Sequence, residues 1–429
     1  MELVRRRHGA VLSAALALAG CSSPPDDPER EGVLVGGTGP LPGAIQGVHY
    51  RAGDHEGYTD AAGTFRYRGG DSVRFSVGAL ELEPTPGAEW VSPFQLANGS
   101  GCAVGAPLRR VLQALQSLDV DADPDNGLAL PELPVAGQPV AVAGLDEGQL
   151  ATAVEAVSPG ATLVAADVAL ERFVLQIDDE EWAPQEGRTF QFPDSVYHGQ
   201  GVASDGDAWI FSSANHLLRS GAEFEELVAN AQPVPKAVRD DGGKHIGDID
   251  VYEGLLYAPI EDAPAFQHPY IVTYDAKTLE PTGENRLLPK ERQPDGVPWV
   301  AVDGPRRRLY TAEWDPTDHL NVYDLDDLAF VQTIPLTPAI GRIQGAKVFG
   351  GLLYASSDDE QKSVYAIDLD TGMVMKRFTL GTPKSEAEGL ALTAHADGAR
   401  MHVLNVVIPN VDFVEYLRTR PPLRDSICP

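Results

Sequence analysis

The second half of the chain repeats itself. Gly254-Leu255-Leu256-Tyr257-Ala258 is followed by Glu261-Asp262, and Gly351-Leu352-Leu353-Tyr354-Ala355 is followed by Asp358-Asp359. The two copies stand two periods of about 48 residues apart. A unit of this length made of short strands cannot bury its own apolar face and must stack on its neighbours. The repeat therefore dictates a mainly β protein assembled from sheets in series.

Five units align by their first two strands. They begin at His198-Gly199-Gln200-Gly201, His245-Ile246-Gly247-Asp248, Pro298-Trp299-Val300, Ile343-Gln344-Gly345 and Glu388-Gly389-Leu390. Third strands recur as Ile271–Asp275, Leu320–Asp324 and Val364–Asp368, each ending in Asp and a turn. Four-stranded sheets set radially around a channel, a β-propeller, satisfy this pattern. The fifth unit lacks an obvious fourth strand. Arg188–Pro193, just before the first unit, has the alternation to complete it and to remove an open edge. The expectation is a five-bladed β-propeller over 188–429, or a six-bladed one if Phe173–Asp178 begins another blade. These repeats resemble the lactonase-like and quinoprotein-like propellers of extracytoplasmic bacterial proteins. That resemblance implies an architecture and leaves the activity open, since the fold hosts enzymes and binding modules alike.

The start of the chain carries a different signal. Arg5-Arg6-Arg7 precedes an apolar run, Ala10–Ala19, too short to span a bilayer. The run ends in Leu18-Ala19-Gly20-Cys21, which resembles the lipobox of bacterial lipoprotein signal peptides. The resemblance implies a signal peptide over 1–20, acylation of Cys21, and a membrane partner reached through that lipid anchor. Ser22 after the cysteine favours the outer membrane in lipoproteins of this type. Residues 21–31 are polar and Pro-rich and are expected to be a disordered tether. With Cys21 lipidated, Cys102 and Cys428 remain in an oxidising compartment. They either form a disulfide or stay as two unpaired thiols.

Residues 32–83 alternate apolar and polar positions between turns, as a small β-sandwich does. Gly57-Tyr58-Thr59-Asp60-Ala61-Ala62-Gly63-Thr64-Phe65 resembles the hairpin of small carboxypeptidase-regulatory-like sandwiches, modules that usually act as spacers or adhesion units. Residues 84–177 read as a helical and irregular segment. Leu108, Val111, Leu112 and Leu115 form one apolar stripe over Pro107–Leu118, and further helices are expected over Leu145–Val157 and Ala165–Leu175. The loop Asp119–Gly127 follows the first helix. Asp119, Asp121, Asp123 and Asn126 resemble the start of a calcium loop, yet Pro124 replaces the turn glycine and Leu130 the bidentate glutamate. Calcium binding and a plain capping turn both stand.

Lys and Arg number 33 against 63 Asp and Glu, a net charge of −30. This excludes nucleic acid as a partner and serves solubility, while also suiting cations or basic partners. Candidate ligand-binding residues lie where the repeats differ: His198, Gln200, His245, Asp248, Trp299, Gln344 and Glu388. Aligned positions in successive blades converge on the axis. These side chains would either fill a wet channel with hydrogen bonds, grip a polar ligand beside an indole face, or hold a divalent metal through the two imidazoles. Glu261 and Glu313, in the loops of one face, could form an acid–base pair. No nucleophile elbow, Walker loop, H-E-x-x-H or dinucleotide fingerprint is present. The reading is a cell-envelope lipoprotein presenting a propeller as a binding module for a small-molecule, glycan or protein ligand. Its alternative is an extracytoplasmic hydrolase or lyase with a metal-assisted site at the channel mouth.

Overall fold

The computed structural model describes residues 28–123, 126–382 and 384–428. The leader and Cys21 lie outside them. Among the described residues no helix is long and apolar enough to cross a membrane. The protein is mainly β and repeat-like, with the propeller type of sheet succession.

Five antiparallel sheets follow one another along the chain. The first spans Gly201–Ser204 to Glu226–Asn230. The second runs from His245–Ile246 and Asp250–Tyr252 to Pro281–Leu287, the third from Ala301–Asp303 to Phe330–Ile340, and the fourth from Ile343–Phe349 to Val374–Thr379. The fifth comprises Glu386–His395, Gly398–Val407 and Asn410–Arg420, and two earlier segments complete it. Arg188–Phe190 pairs with Val411–Phe413, and Glu181–Pro184 pairs further along the same strand. Phe173–Asp178 begins no sheet: Phe173–Ile177 is the end of a helix.

Each sheet's first strand neighbours that of the next, and the fifth neighbours the first. Apolar layers fill the spaces between successive sheets. Ile210, Ile249 and Leu256 pack between the first and second, Val302 and Leu309 between the second and third, and Trp299 and Ile343 between the third and fourth. Phe211 and Phe413 pack between the fifth and first. The twin Gly-Leu-Leu-Tyr-Ala strands supply this core: Leu256 and Ala258, and Leu353 and Ala355, are fully buried.

The Asp that ends three of the third strands has a local cause. The carboxylates of Asp275, Asp324 and Asp368 accept backbone N–H groups two residues on, at 3.0, 3.0 and 3.1 Å. Four residues after each Asp the chain turns left-handed, at Leu279 (φ 59°), Leu328 (φ 54°) and Gly372 (φ 73°). Glycine adopts that conformation without strain, so the fourth sheet uses the residue the turn prefers.

The N-terminal part holds a three-stranded and a six-stranded sheet, with Phe65 and Phe75 packed edge to face. In the hairpin, Asp60 Oδ1 accepts the N–H groups of Ala62 and Thr64, and Gly63 takes φ 74°. The strand expected to start after the tether begins earlier, at Glu29, paired with Arg68. Arg66 lies 3.4 Å from Glu29 and 3.6 Å from Glu31, so cross-strand charge holds residues that composition reads as disordered. Helices span Pro93–Asn98, Ala106–Ser117, Glu147–Val157 and Ala166–Ile177. The stripe of Leu108, Val111, Leu112 and Leu115 is buried.

This region does not stand apart from the sheets. Its core continues without a break into the layer between the fourth and fifth sheets, through Tyr354, Val364, Met401 and Tyr416. Around that layer runs the seam segment Asp178-Asp179-Glu180-Glu181. Arg424 chelates Asp178 (2.6 and 3.0 Å), Arg420 meets Asp179 (2.8 Å), and Arg377 meets Glu180 (2.9 Å). Cys102 and Cys428 are joined as a disulfide, Cα–Cα 6.0 Å, which fastens the C-terminus to the N-terminal helices.

Candidate functional site

The first strands of the sheets meet at Asp248. Its side chain is fully buried, and three N–H donors from two other sheets converge on it. Oδ1 accepts from Val202 N (3.0 Å), and Oδ2 accepts from Ala346 N (3.1 Å) and Lys347 Nζ (2.7 Å). Gly201, Gly345 and Gly389 pack around it. A Cβ on any of them would come within 2.5–2.9 Å of the Asp248 carboxylate. These glycines are in the chain because the strands crowd the axis, not for turns. Burial pushes the Asp248 carboxyl up to about 7, with Lys347 pulling the other way. Asp248, expected as a ligand residue, is a hub that ties the first, second and fourth sheets together.

Gln200, Gln344 and Glu388 each precede one of the three hub glycines, at the strand starts here called the mouth. Gly389 N donates to Gln200 O (2.8 Å), and the Ser356 hydroxyl donates to the main-chain carbonyls of both Gly345 (3.3 Å) and Glu388. Glu388 is 3% exposed. Among the described residues its carboxylate accepts no hydrogen bond. Burial first, then the charges of Glu386, Asp358 and Asp248, hold it well above the usual carboxylate range.

His245 stands at the rim, its side chain 33% exposed, with Nδ1 3.3 Å from Glu261 Oε1. The two are cross-strand partners. Glu261 Oε2 accepts from Val297 N at 2.8 Å. Across the rim, Asp358 receives Lys362 Nζ (2.6 Å) and the guanidinium of Arg342, which also lies 5.2 Å from the Trp314 ring. Lys347, Lys362 and Arg342 were not singled out from sequence. The available signal was a lysine inside an otherwise apolar inner strand, Gly345-Ala346-Lys347-Val348.

Two expected ligand residues are elsewhere. His198 is buried between the fifth and first sheets, stacked on Phe190 at 3.7 Å with Nδ1 2.9 Å from Asp194 O. Burial pushes its pKa down to about 4. It is a neutral core imidazole and does not face His245 across the channel. Trp299 is fully buried in the apolar layer between the third and fourth sheets and presents no indole face to a ligand. His198, expected to open an inner strand, instead follows the 3-10 turn Asp194–Tyr197, and the strand starts at Gly201.

The Asp119–Gly127 loop uses its oxygens on itself. Asp119 accepts from Ala129 N (3.0 Å), and Asp121 accepts from Asp123 N (3.0 Å) and Asn126 Nδ2 (2.7 Å). Pro124 and Asp125 lie outside the described residues. Among the described residues, one group of His and carboxylate side chains brings its ligating atoms within 4.8 Å of one another: Glu313, Asp318 and His319, at the start of a strand in the third sheet. It contains no channel residue. Glu261 and Glu313 belong to different side-chain groups, one beside His245 and one beside His319.

No protein-family model matches the sequence, and no curated protein matches it. Among solved structures the chain is similar to the Neurospora crassa Pan2 WD40 domain, at 9% identity and TM-score 0.30, over 52% of this chain and 64% of that one. It is also similar to the computationally designed protein Ika8, at 9% identity and TM-score 0.28, over 51% of this chain and 57% of that one. The match thus spans less than two thirds of either structure.

Proposed function

We propose that this chain is an exported, lipid-anchored envelope protein in which a closed five-bladed propeller serves as a binding module. The leader and Cys21 support the anchor. The cyclic neighbourhood of the five first strands, completed by Arg188–Phe190, supports closure. The ligand is taken at the mouth, beside Asp248. One observation carries this: the hub carboxylate is fully satisfied, while Glu388 at the mouth is a buried carboxylate with no protein partner among the described residues. A carboxylate that accepts nothing from the chain is free to accept from a ligand. The N-terminal sheets and helices act as a spacer, fused to the fourth and fifth sheets by a shared core.

The metal-assisted reading gains nothing from the geometry, because its two imidazoles are not brought together. A fluorinated-fragment mixture followed by fluorine NMR tests the binding reading. Fragments that broaden with the wild-type protein should recover sharp signals in a Gln344→Trp variant, whose indole fills the mouth. If no fragment binds, or if all bind equally to the variant, the mouth is not the site. The anchor is tested separately by the mass of the mature N-terminus, which should carry acyl chains on Cys21 and lose them in Cys21→Ser.

A further inference from the structure

We infer that the mouth takes a cationic nitrogen, the ammonium or guanidinium of a small molecule or basic side chain, on the carboxylate of Glu388. This rests on the binding-module reading and names its ligand chemistry.

The argument is one of charge matching. Four buried carboxylates surround the axis at this end. Asp248 has Lys347 at 2.7 Å. Asp358 has Lys362 at 2.6 Å and Arg342. Glu261 has His245 at 3.3 Å and the Val297 N–H. Glu388 has none of these, and the charges that act on it belong to other carboxylates. A buried carboxylate is ionised only where an opposite charge reaches it. The fold supplies that charge to two of the neighbours with its own lysines, and leaves the fourth position for a cation from outside.

The neighbours of Glu388 suit a nitrogen cation. Gln200 donates its Nε2 to Gly199 O (2.8 Å), which leaves its amide oxygen as an acceptor. An ammonium carries three N–H donors and no acceptor, the complement of a carboxylate that accepts nothing from the chain. A divalent metal is less well served. Among the described residues the His and carboxylate ligands that converge do so at Glu313, Asp318 and His319, not around Glu388. Anions are repelled by the same carboxylates. The rim shows the chemistry in miniature, since Arg342 is held there between the Asp358 carboxylate and the Trp314 ring.

The test uses the mature protein, n-butylammonium and n-butanol as matched probes, and carbon NMR of labelled glutamate carboxyls. Butylammonium should move one carboxyl resonance saturably, and that resonance should be missing in Glu388→Gln. Affinity should fall roughly 10- to 100-fold in that variant, the usual range for losing a hydrogen bond to a charged group. It should fall less in Gln344→Leu, which keeps the carboxylate and so guards against a variant that merely misfolds. Butanol should not compete. Equal binding of both probes, or unchanged butylammonium binding in Glu388→Gln, overturns the inference. So does a shift of the same resonance by Zn²⁺ or Mg²⁺ alone. If neutral fluorinated fragments still depend on Gln344 while butylammonium does not bind, the mouth remains the site and only its cation chemistry is wrong.

Discussion

The seam and the mouth are both built from buried carboxylates, and they treat them differently. At the seam Asp178 is chelated by Arg424, which also reaches Asp368, and Glu180 receives Arg377 at 2.9 Å and the Tyr354 hydroxyl at 2.9 Å. Arg418 stands 3.8 Å away. At the mouth the hub and rim carboxylates are matched, but Glu388 is not. The seam joins parts of one chain that must not separate, so it is saturated with arginines whose forked geometry fits carboxylates bidentately. The mouth is saturated at the hub and open in charge at Glu388. Stability and recognition here use the same interaction. What separates them is whether the chain itself supplies the cation.

Removing a cation from each region sharpens this contrast. Arg424→Met should have the largest effect, because it strands Asp178 and Asp368 together in a buried site. A loss of roughly 3–5 kcal/mol in urea unfolding is expected, the range for breaking a buried ion pair from one side. A loss below about 1 kcal/mol would show that the seam is held by its apolar core and disulfide instead. Lys347→Met should come next, at roughly 3 kcal/mol above neutral pH, where Asp248 is ionised. It strands Asp248, which keeps the N–H donors of Val202 and Ala346, and takes the Lys347 charge from Asp250. The Asp248 carboxyl is already pushed up to about 7, and without Lys347 it moves higher. A carboxyl whose folded value is raised loses stability as pH rises above its unfolded value near 4. The Lys347→Met penalty should therefore be smallest below pH 7 and grow as pH rises above it, where the wild-type carboxyl ionises and the variant's does not. A penalty independent of pH would mean that lost packing of the lysine stem, and not charge, sets it.

Much of the scaffold was legible in the sequence. The repeat period located the strands, the Asp-plus-turn endings located the hairpins, and the apolar stripe of Leu108 to Leu115 located a helix. Strand alternation is written locally, since it needs only a period of two and a turn. The site was legible in part. Aligning the units put Gln200, Asp248, Gln344 and Glu388 in one set at the inner strands, without separating Asp248 as the hub. It could not tell which neighbours of those residues turn inward. His198 follows a 3-10 turn and Trp299 precedes its strand, so strand alternation does not set where either side chain points. The cations were hidden for a related reason. Lys347 and Arg424 meet carboxylates 99 and 246 residues away in sequence, Asp248 and Asp178, and no local pattern records such a pairing. The extent of the first strand was also missed, because Glu29 and Glu31 are stabilised by Arg66 across the sheet and not by their own composition.

The titration of Glu388 distinguishes the two regions most directly. Burial and three neighbouring carboxylates raise Glu388, so in the folded chain it keeps its proton at a pH where the unfolded chain has lost it. Folding then takes up a proton. Stability falls as pH rises above about 4.5, by up to about 1.4 kcal/mol per pH unit, until the folded group itself ionises. A glutamine has no proton to lose. Glu388→Gln should match the wild type at pH 4 and become the more stable of the two as pH rises, a gap measurable by chemical unfolding at successive pH values. Saturating butylammonium should narrow that gap, because it stabilises the ionised form in the wild type alone. A gap that stays flat from pH 4 to 8 would mean that Glu388 already has a cation in the folded chain. The mouth would then be as complete as the seam, and the contrast between them would disappear.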